Sequence, residues 1–93
     1  MNRSLLRSNS FIRAARRTIK KYPHIAEDMQ AILELLSKDA FHPLLKTHKL
    51  KGDLEGSWAC SVSYELRIIF KFVQHKGSEA ILLETMGTHD EAY

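Results

Sequence analysis

Residues 58–86 decide the fold: WACSVSYELRIIFKFVQHKGSEAILLETM. Trp58, Cys60, Val62 and Tyr64 alternate with Ala59, Ser61 and Ser63, the period-2 pattern of a half-buried strand. Residues 66–73, LRIIFKFV, are richer still in β-branched and aromatic side chains, which pack well on a pleated surface. QHKGSE reads as a turn and residues 80–86 as a last strand. Three consecutive strands with short connections predict an antiparallel meander. In the central strand Leu66, Ile68, Phe70 and Phe72 share one face, and Arg67, Ile69 and Lys71 share the other. The first set is expected against the core, which turns Arg67 out of the opposite face.

Upstream, residues 41–58 (FHPLLKTHKLKGDLEGSW) are loop-rich, with a proline and two glycines. Before them the hydrophobic period changes. From Phe11, apolar or small residues recur at Ala14, Ala15, Thr18, Ile19 and Tyr22, one face of a helix. Arg13, Arg16, Arg17 and Lys20 take the other face. Ser8 or Ser10 can cap this helix by accepting from its first free N–H groups. Pro23 ends it and suits the first turn of a second helix. There Glu27 and Asp28 complement the dipole, and Ile25, Met29, Ile32, Leu33 and Leu36 form the buried stripe. Residues 2–7 are short enough to be an optional edge strand. The expectation is an α+β domain, residues 1–93. An N-terminal α-hairpin packs on one face of a three- or four-stranded, mainly antiparallel sheet, whose other face stays partly open.

Composition narrows the function classes. The chain has 93 residues, of which 44% are hydrophobic, enough for one core. No apolar run approaches the roughly 20 residues that span a bilayer, and MNRSLLRSNS lacks the apolar stretch of a signal peptide. A single cysteine, Cys60, forms no internal disulfide, as expected of the reducing cytosol. Neither CxxC nor HxxxH spacing is present, so neither a metal nor another cofactor is expected. The net charge of +3 suits nucleic acid or an acidic partner. Most of the basic residues fall in two clusters, 13–21 and 46–51.

Five histidines are many for this length. His48 sits in KTHKLKG at the entrance to the sheet, and His89 in the tail after the last strand. A meander can bring such positions to one rim. Imidazoles, with an ordinary pKa of about 6.5, exchange protons near neutrality. With Arg67 as a fixed cation, they compose a phosphodiester-cleaving site: a base for a ribose 2′-OH, an acid for the leaving 5′-oxygen, and a guanidinium for the developing phosphate charge. Each element also has a plainer reading. Arg67 can make an ion pair with Glu65 or Glu84, and the 13–21 cluster can be a solvated helix face. Tyr64 can be a packed strand residue, Trp58 a core or loop anchor, and Cys60 a buried, inert thiol. His24, His42 and His75 read as local structural or surface residues.

The segments KTHKLKG, GSW, SYELRIIF and GTHDEAY occur in order between residues 42 and 93. In this they resemble the RelE/ParE toxin superfamily, and within it the branch of YafQ-like and RelE/StbE-type mRNA interferases. The resemblance implies a RelE-like fold. It implies the toxin of a type II toxin–antitoxin pair that cuts mRNA, often on the ribosome, and is neutralised by a cognate antitoxin protein. It places the family's loop histidine on His48, its strand arginine on Arg67, its tail histidine on His89 and its terminal aromatic on Tyr93. Trp58 falls on the tryptophan of the GSW segment, and Glu65 on an acidic position before the Leu-Arg pair. YafQ-like relatives carry a further histidine and an Asp-Trp pair where this chain reads SVSYELR, so those contributions are either missing or replaced by Tyr64 and Glu65. Lys46, Lys49 and Lys51 complete the expected RNA-contacting set. Two other readings share the fold: a ParE-like inhibitor of DNA gyrase acting by binding, and an inactive module held by its antitoxin.

Overall fold

The structure, a computed structural model, describes residues 2–88. The order is β1 (Ser4–Arg7), α1 (Asn9–Lys21), α2 (Ile25–Lys38), β2 (His48–Lys49), β3 (Trp58–Ser61), β4 (Leu66–His75) and β5 (Ser78–Thr88). Single 3-10 turns lie at Pro43–Leu45 and Gly52–Leu54. The five strands form one sheet in the order β1-β5-β4-β3-β2. The meander β3-β4-β5 is as the alternation predicts. The sheet has one strand more than the expected maximum of four, because β2 is a two-residue strand inside the loop-rich stretch, too short to show a period. The optional edge strand is real, and β1 runs parallel to β5, from Ser4 opposite Ala80 to Arg7 opposite Leu83.

Ser8 is the N-cap of α1, and its hydroxyl accepts from the Phe11 N–H at 3.0 Å. The same hydroxyl donates to the Glu84 carbonyl at 3.0 Å, which pins the helix start to β5. Phe11, Ala14 and Thr18 face inward, with Thr18 donating to Ala14 O at 2.8 Å. Arg13, Arg16, Arg17, Lys20 and Lys21 are all exposed. Pro23 lies in the link between the helices rather than in the first turn of α2. Ile25, Met29, Leu33 and Leu36 bury the inner stripe of α2.

Both helices cover the face that carries Leu66, Ile68 and Phe70. Ile81 and Leu83 join this core, and then the phase slips and Met86 follows. The slip is a bulge: Ile69 pairs with Thr85 and Phe70 with Leu83, so Glu84 is the extra residue on β5. The β4–β5 hairpin closes with two residues, Lys76 (φ 52°) and Gly77 (φ 80°). Consecutive positive φ angles match the strand twist, and glycine at the second position removes the Cβ clash. No helix among the described residues is long and apolar enough to cross a membrane.

Candidate functional site

Sequence alternation carries β3 through Tyr64, but the strand stops at Ser61. Val62–Glu65 form the turn into β4, with Val62 N–H donating to Leu66 O at 2.9 Å. Arg67 explains the early stop. Its Nη1 donates to the carbonyls of Ser63 (2.9 Å), Tyr64 (3.0 Å) and Leu66 (3.2 Å), so the guanidinium gathers the turn around itself. Tyr64 is therefore not a packed strand residue; it is 93% exposed at the tip. Glu65 is exposed beside it.

Arg67 pairs with neither Glu65 nor Glu84. The Glu84 carboxylate takes Ser57 Oγ at 2.7 Å and Lys71 Nζ at 3.6 Å. Among the described residues no carboxylate neutralises Arg67. The residue opposite it on β5 is Gly87, which places no side chain beside the guanidinium.

His48 pairs with Ala59, which pairs with Ile69. Paired residues share a face, so His48 lies on the open face with Arg67, two strands across and two residues along. Strand spacing puts their backbone positions about 12 Å apart, within the combined reach of two long side chains around one phosphodiester. His48 is exposed, and its Nδ1 lies 3.0 Å from the Lys46 carbonyl. A carbonyl only accepts, so Nδ1 donates, and in the neutral imidazole the lone pair then lies on Nε2. Lys46, whose carbonyl sets this tautomer, adopts the left-handed conformation at φ 52°. The floor between His48 and Arg67 is apolar: Ala59 and Ile69 are 0% and 2% exposed.

The other expected residues divide. Lys46 and Lys51 are exposed near His48 in the chain. Lys49 and Trp58 pair with each other and lie on the helix face, opposite to His48 and Arg67. His89 and Tyr93 lie outside the described residues. Cys60 is buried, and burial pushes its thiol up to about 12, against a weaker pull from Arg67 and a backbone contact at Ile68, so it stays protonated and inert. His42 is local structure: its Nδ1 accepts from the Leu44 N–H at 3.1 Å.

Phe72, expected on the inward face of the central strand, and Phe41, which the sequence did not single out, enclose Trp58 in a cluster of three rings with centroids 5.4, 5.5 and 5.8 Å apart. Nothing in the sequence beyond a lone aromatic before His42-Pro43 signals Phe41. A groove of ≈ 670 Å³ lies between α1 and α2 over Leu5, Ala15, Ile19 and Met29, away from Arg67. Among the described residues no group of His, Cys, Asp and Glu could hold a metal ion.

Comparison with known proteins agrees with this architecture. YafQ from E. coli strain BL21(DE3) is similar with a TM-score of 0.79 at 17% identity, covering 98% of this chain and 98% of that one. The toxin in the E. coli DinJ-YafQ complex gives 0.78 at 18% identity, again with 98% of each chain covered. A YoeB/ParE toxin from Agrobacterium tumefaciens gives 0.75 at 17% identity, over 92% of this chain and 98% of that one. Such identities establish likeness of fold. No curated protein sequence matches. The family model for the bacterial toxin of type II toxin–antitoxin systems, YafQ, matches residues 3–93, which include every residue of the site just described. The chain belongs to the YafQ family of type II toxin–antitoxin toxins.

Proposed function

We propose that this toxin is an endoribonuclease that cleaves mRNA by acid–base chemistry without a metal ion. The observation that carries the reading is Arg67: a guanidinium fixed by three turn carbonyls, unneutralised by any described carboxylate, on the same open face as an outward-facing imidazole. A cation held this way costs no reorganisation when negative charge develops on a phosphate.

In this reading a ribose 2′-oxygen attacks the adjacent phosphorus while an imidazole removes its proton. The bond to the 5′-oxygen breaks, a second imidazole protonates that oxygen, and a 2′,3′-cyclic phosphate and a 5′-hydroxyl result. Arg67 stabilises the extra charge on the non-bridging oxygens. With its Nε2 lone pair free, His48 is suited to the base. His89 follows Thr88 directly, and Thr88 pairs with Leu66, the neighbour of Arg67, which supports His89 as the acid. Lys46 and Lys51 steer the backbone of the RNA, and Tyr93 stacks on a base. The toxin acts in the cytoplasm on mRNA held by the ribosome. A cognate antitoxin, folding on binding, covers the Arg67 face; DinJ-YafQ is a toxin–antitoxin complex of this fold.

The test is cleavage of a labelled RNA and growth arrest on expression. Arg67→Ala and His89→Ala each lower cleavage by about a hundredfold or more while the variants remain folded. Arrest with intact mRNA overturns the proposal. Gyrase inhibition that survives loss of both histidines would replace it with a binding mechanism.

A further inference from the structure

The edge strand β2 separates two surfaces by one residue. His48 faces the open side, while Lys49 faces the helix side with its Nζ over the Trp58 ring, 5.4 Å from the centroid. Beyond Trp58 the rings continue. Phe41 meets Trp58 edge-on at 5.4 Å and stacks on Phe72 at 5.8 Å with an interplanar angle of 21°. Arg3 sits over Phe72 at 5.3 Å, its charge shared with Glu79 at 2.7 Å. The row Lys49–Trp58–Phe41–Phe72–Arg3 runs from β2 toward β1, where the Arg3 N–H donates to Ser37 O near the C-terminal end of α2. Separations of 5.4, 5.5 and 5.3 Å, from Lys49 through Trp58 and Phe72 to Arg3, limit its length to about 16 Å.

Phe41 is 55% exposed, one of three large apolar residues exposed among the described residues. Trp58 and Phe72 beside it are half-buried, so each still offers part of a ring to the surface. Beside it lies a groove of ≈ 650 Å³, lined by Trp58, Lys49 and Lys51 with Glu55 on its rim.

We infer that this row is a second RNA subsite, a stacking platform for unpaired bases of the strand that is cut on the opposite face. The inference rests on the ribonuclease reading for what lies at His48, but binding at the row can be measured by itself. Single-stranded RNA suits the chemistry because each base offers a flat π-face to a ring and each phosphate a charge to a flanking cation. Continuity supports it further. Among the described residues β2 is the outermost strand on its side of the sheet, so an RNA strand leaving His48 rounds the edge and meets Lys49 one residue later. The platform would hold nucleotides flanking the scissile bond, through stacking rather than by reading base edges.

Trp58 is the chain's one tryptophan, so its emission reports the site directly. The probe is a short single-stranded RNA with 2′-O-methyl riboses, which lacks the nucleophile and cannot be cut. The expected result is saturable, salt-sensitive quenching of Trp58, with affinity about tenfold weaker in Phe41→Ala and in Lys49→Ala. Both side chains are exposed, and circular dichroism checks that each variant folds. RNA binding that leaves Trp58 emission unchanged and is indifferent to both substitutions overturns the platform, even if unmodified RNA is still cut. Quenching that behaves as expected in a protein that never cuts RNA sustains the platform and removes the ribonuclease reading. A purified antitoxin that displaces no RNA from Trp58 agrees with the assignment; emission that responds to antitoxin and to no RNA overturns it.

Discussion

The two faces of the sheet are built on opposite principles. Toward the helices, Ile68, Phe70, Leu83, Leu36 and Leu45 are wholly buried. Stability there comes from apolar area withdrawn from water. On the open face, Ala59 and Ile69 make a small dry floor, and the groups around it are polar: Arg67 on its turn, Lys71 with Glu84, His48 at the edge. They are held by hydrogen bonds to backbone and hydroxyl rather than by packing. The difference teaches that the chemistry of the open face can change without touching the core, while the core can lose stability without rearranging the chemistry.

The largest effect should come from breaking the packed side. Phe70→Ala removes a ring from the centre of the core and should cost about 3–5 kcal/mol, read as a lower midpoint in urea. Alkali sharpens the same contrast. The folded state holds the Cys60 proton up to about pH 12, while the unfolded chain releases it above its ordinary value of 9.0. The unfolded state therefore binds fewer protons in that window, so the stability contributed by Cys60 is intact below pH 9.0 and is lost as the pH climbs toward about 12. The slope is at most about 1.4 kcal/mol per pH unit, and Cys60→Ser should lack it when the two urea curves are compared across pH. Ser8→Ala, which removes both the cap on α1 and its tie to Glu84, should cost about 1 kcal/mol. The smallest effect is expected on the open face. Lys71 is 44% exposed, and its pairing with Glu84 is long at 3.6 Å, so Lys71→Ala should move thermal stability by less than about 0.5 kcal/mol. A large loss there would erase the distinction between the faces.

How much of this was legible follows from what each residue is bound to. The α-hairpin, the meander and the inward set Leu66–Ile68–Phe70 follow from hydrophobic period, because burial on one face is what makes the period. Arg67 was legible as outward-facing for the same reason. The end of β3 was not, because alternation through Tyr64 carries no trace of a guanidinium that will collect the carbonyls of Ser63, Tyr64 and Leu66. The Glu84 bulge escaped too: LLETM reads as unbroken strand, and only the pairing shows that one residue is extra. Two-residue β2 has no period to detect, so the sequence placed His48 before the sheet rather than within it. The same gap hid that Lys49 and Trp58 face away from His48. The site was thus legible as a list of residues, while their division between two faces depended on register.

The parallel pairing of β1 with β5 has a consequence in time. Ser4 waits for Ala80, and β5, the last of the described strands in chain order, lies between β1 and β4 in the sheet. A nascent chain that has not yet produced residues 78–88 lacks the strand on which Ser8 anchors α1 and against which Phe70 packs. Local pairings such as β3 with β4 are open to it, but the closed sheet is not, and distant partners make that closure slow relative to helix formation. A toxin of this topology closes its sheet only once residues 78–88 have been synthesised.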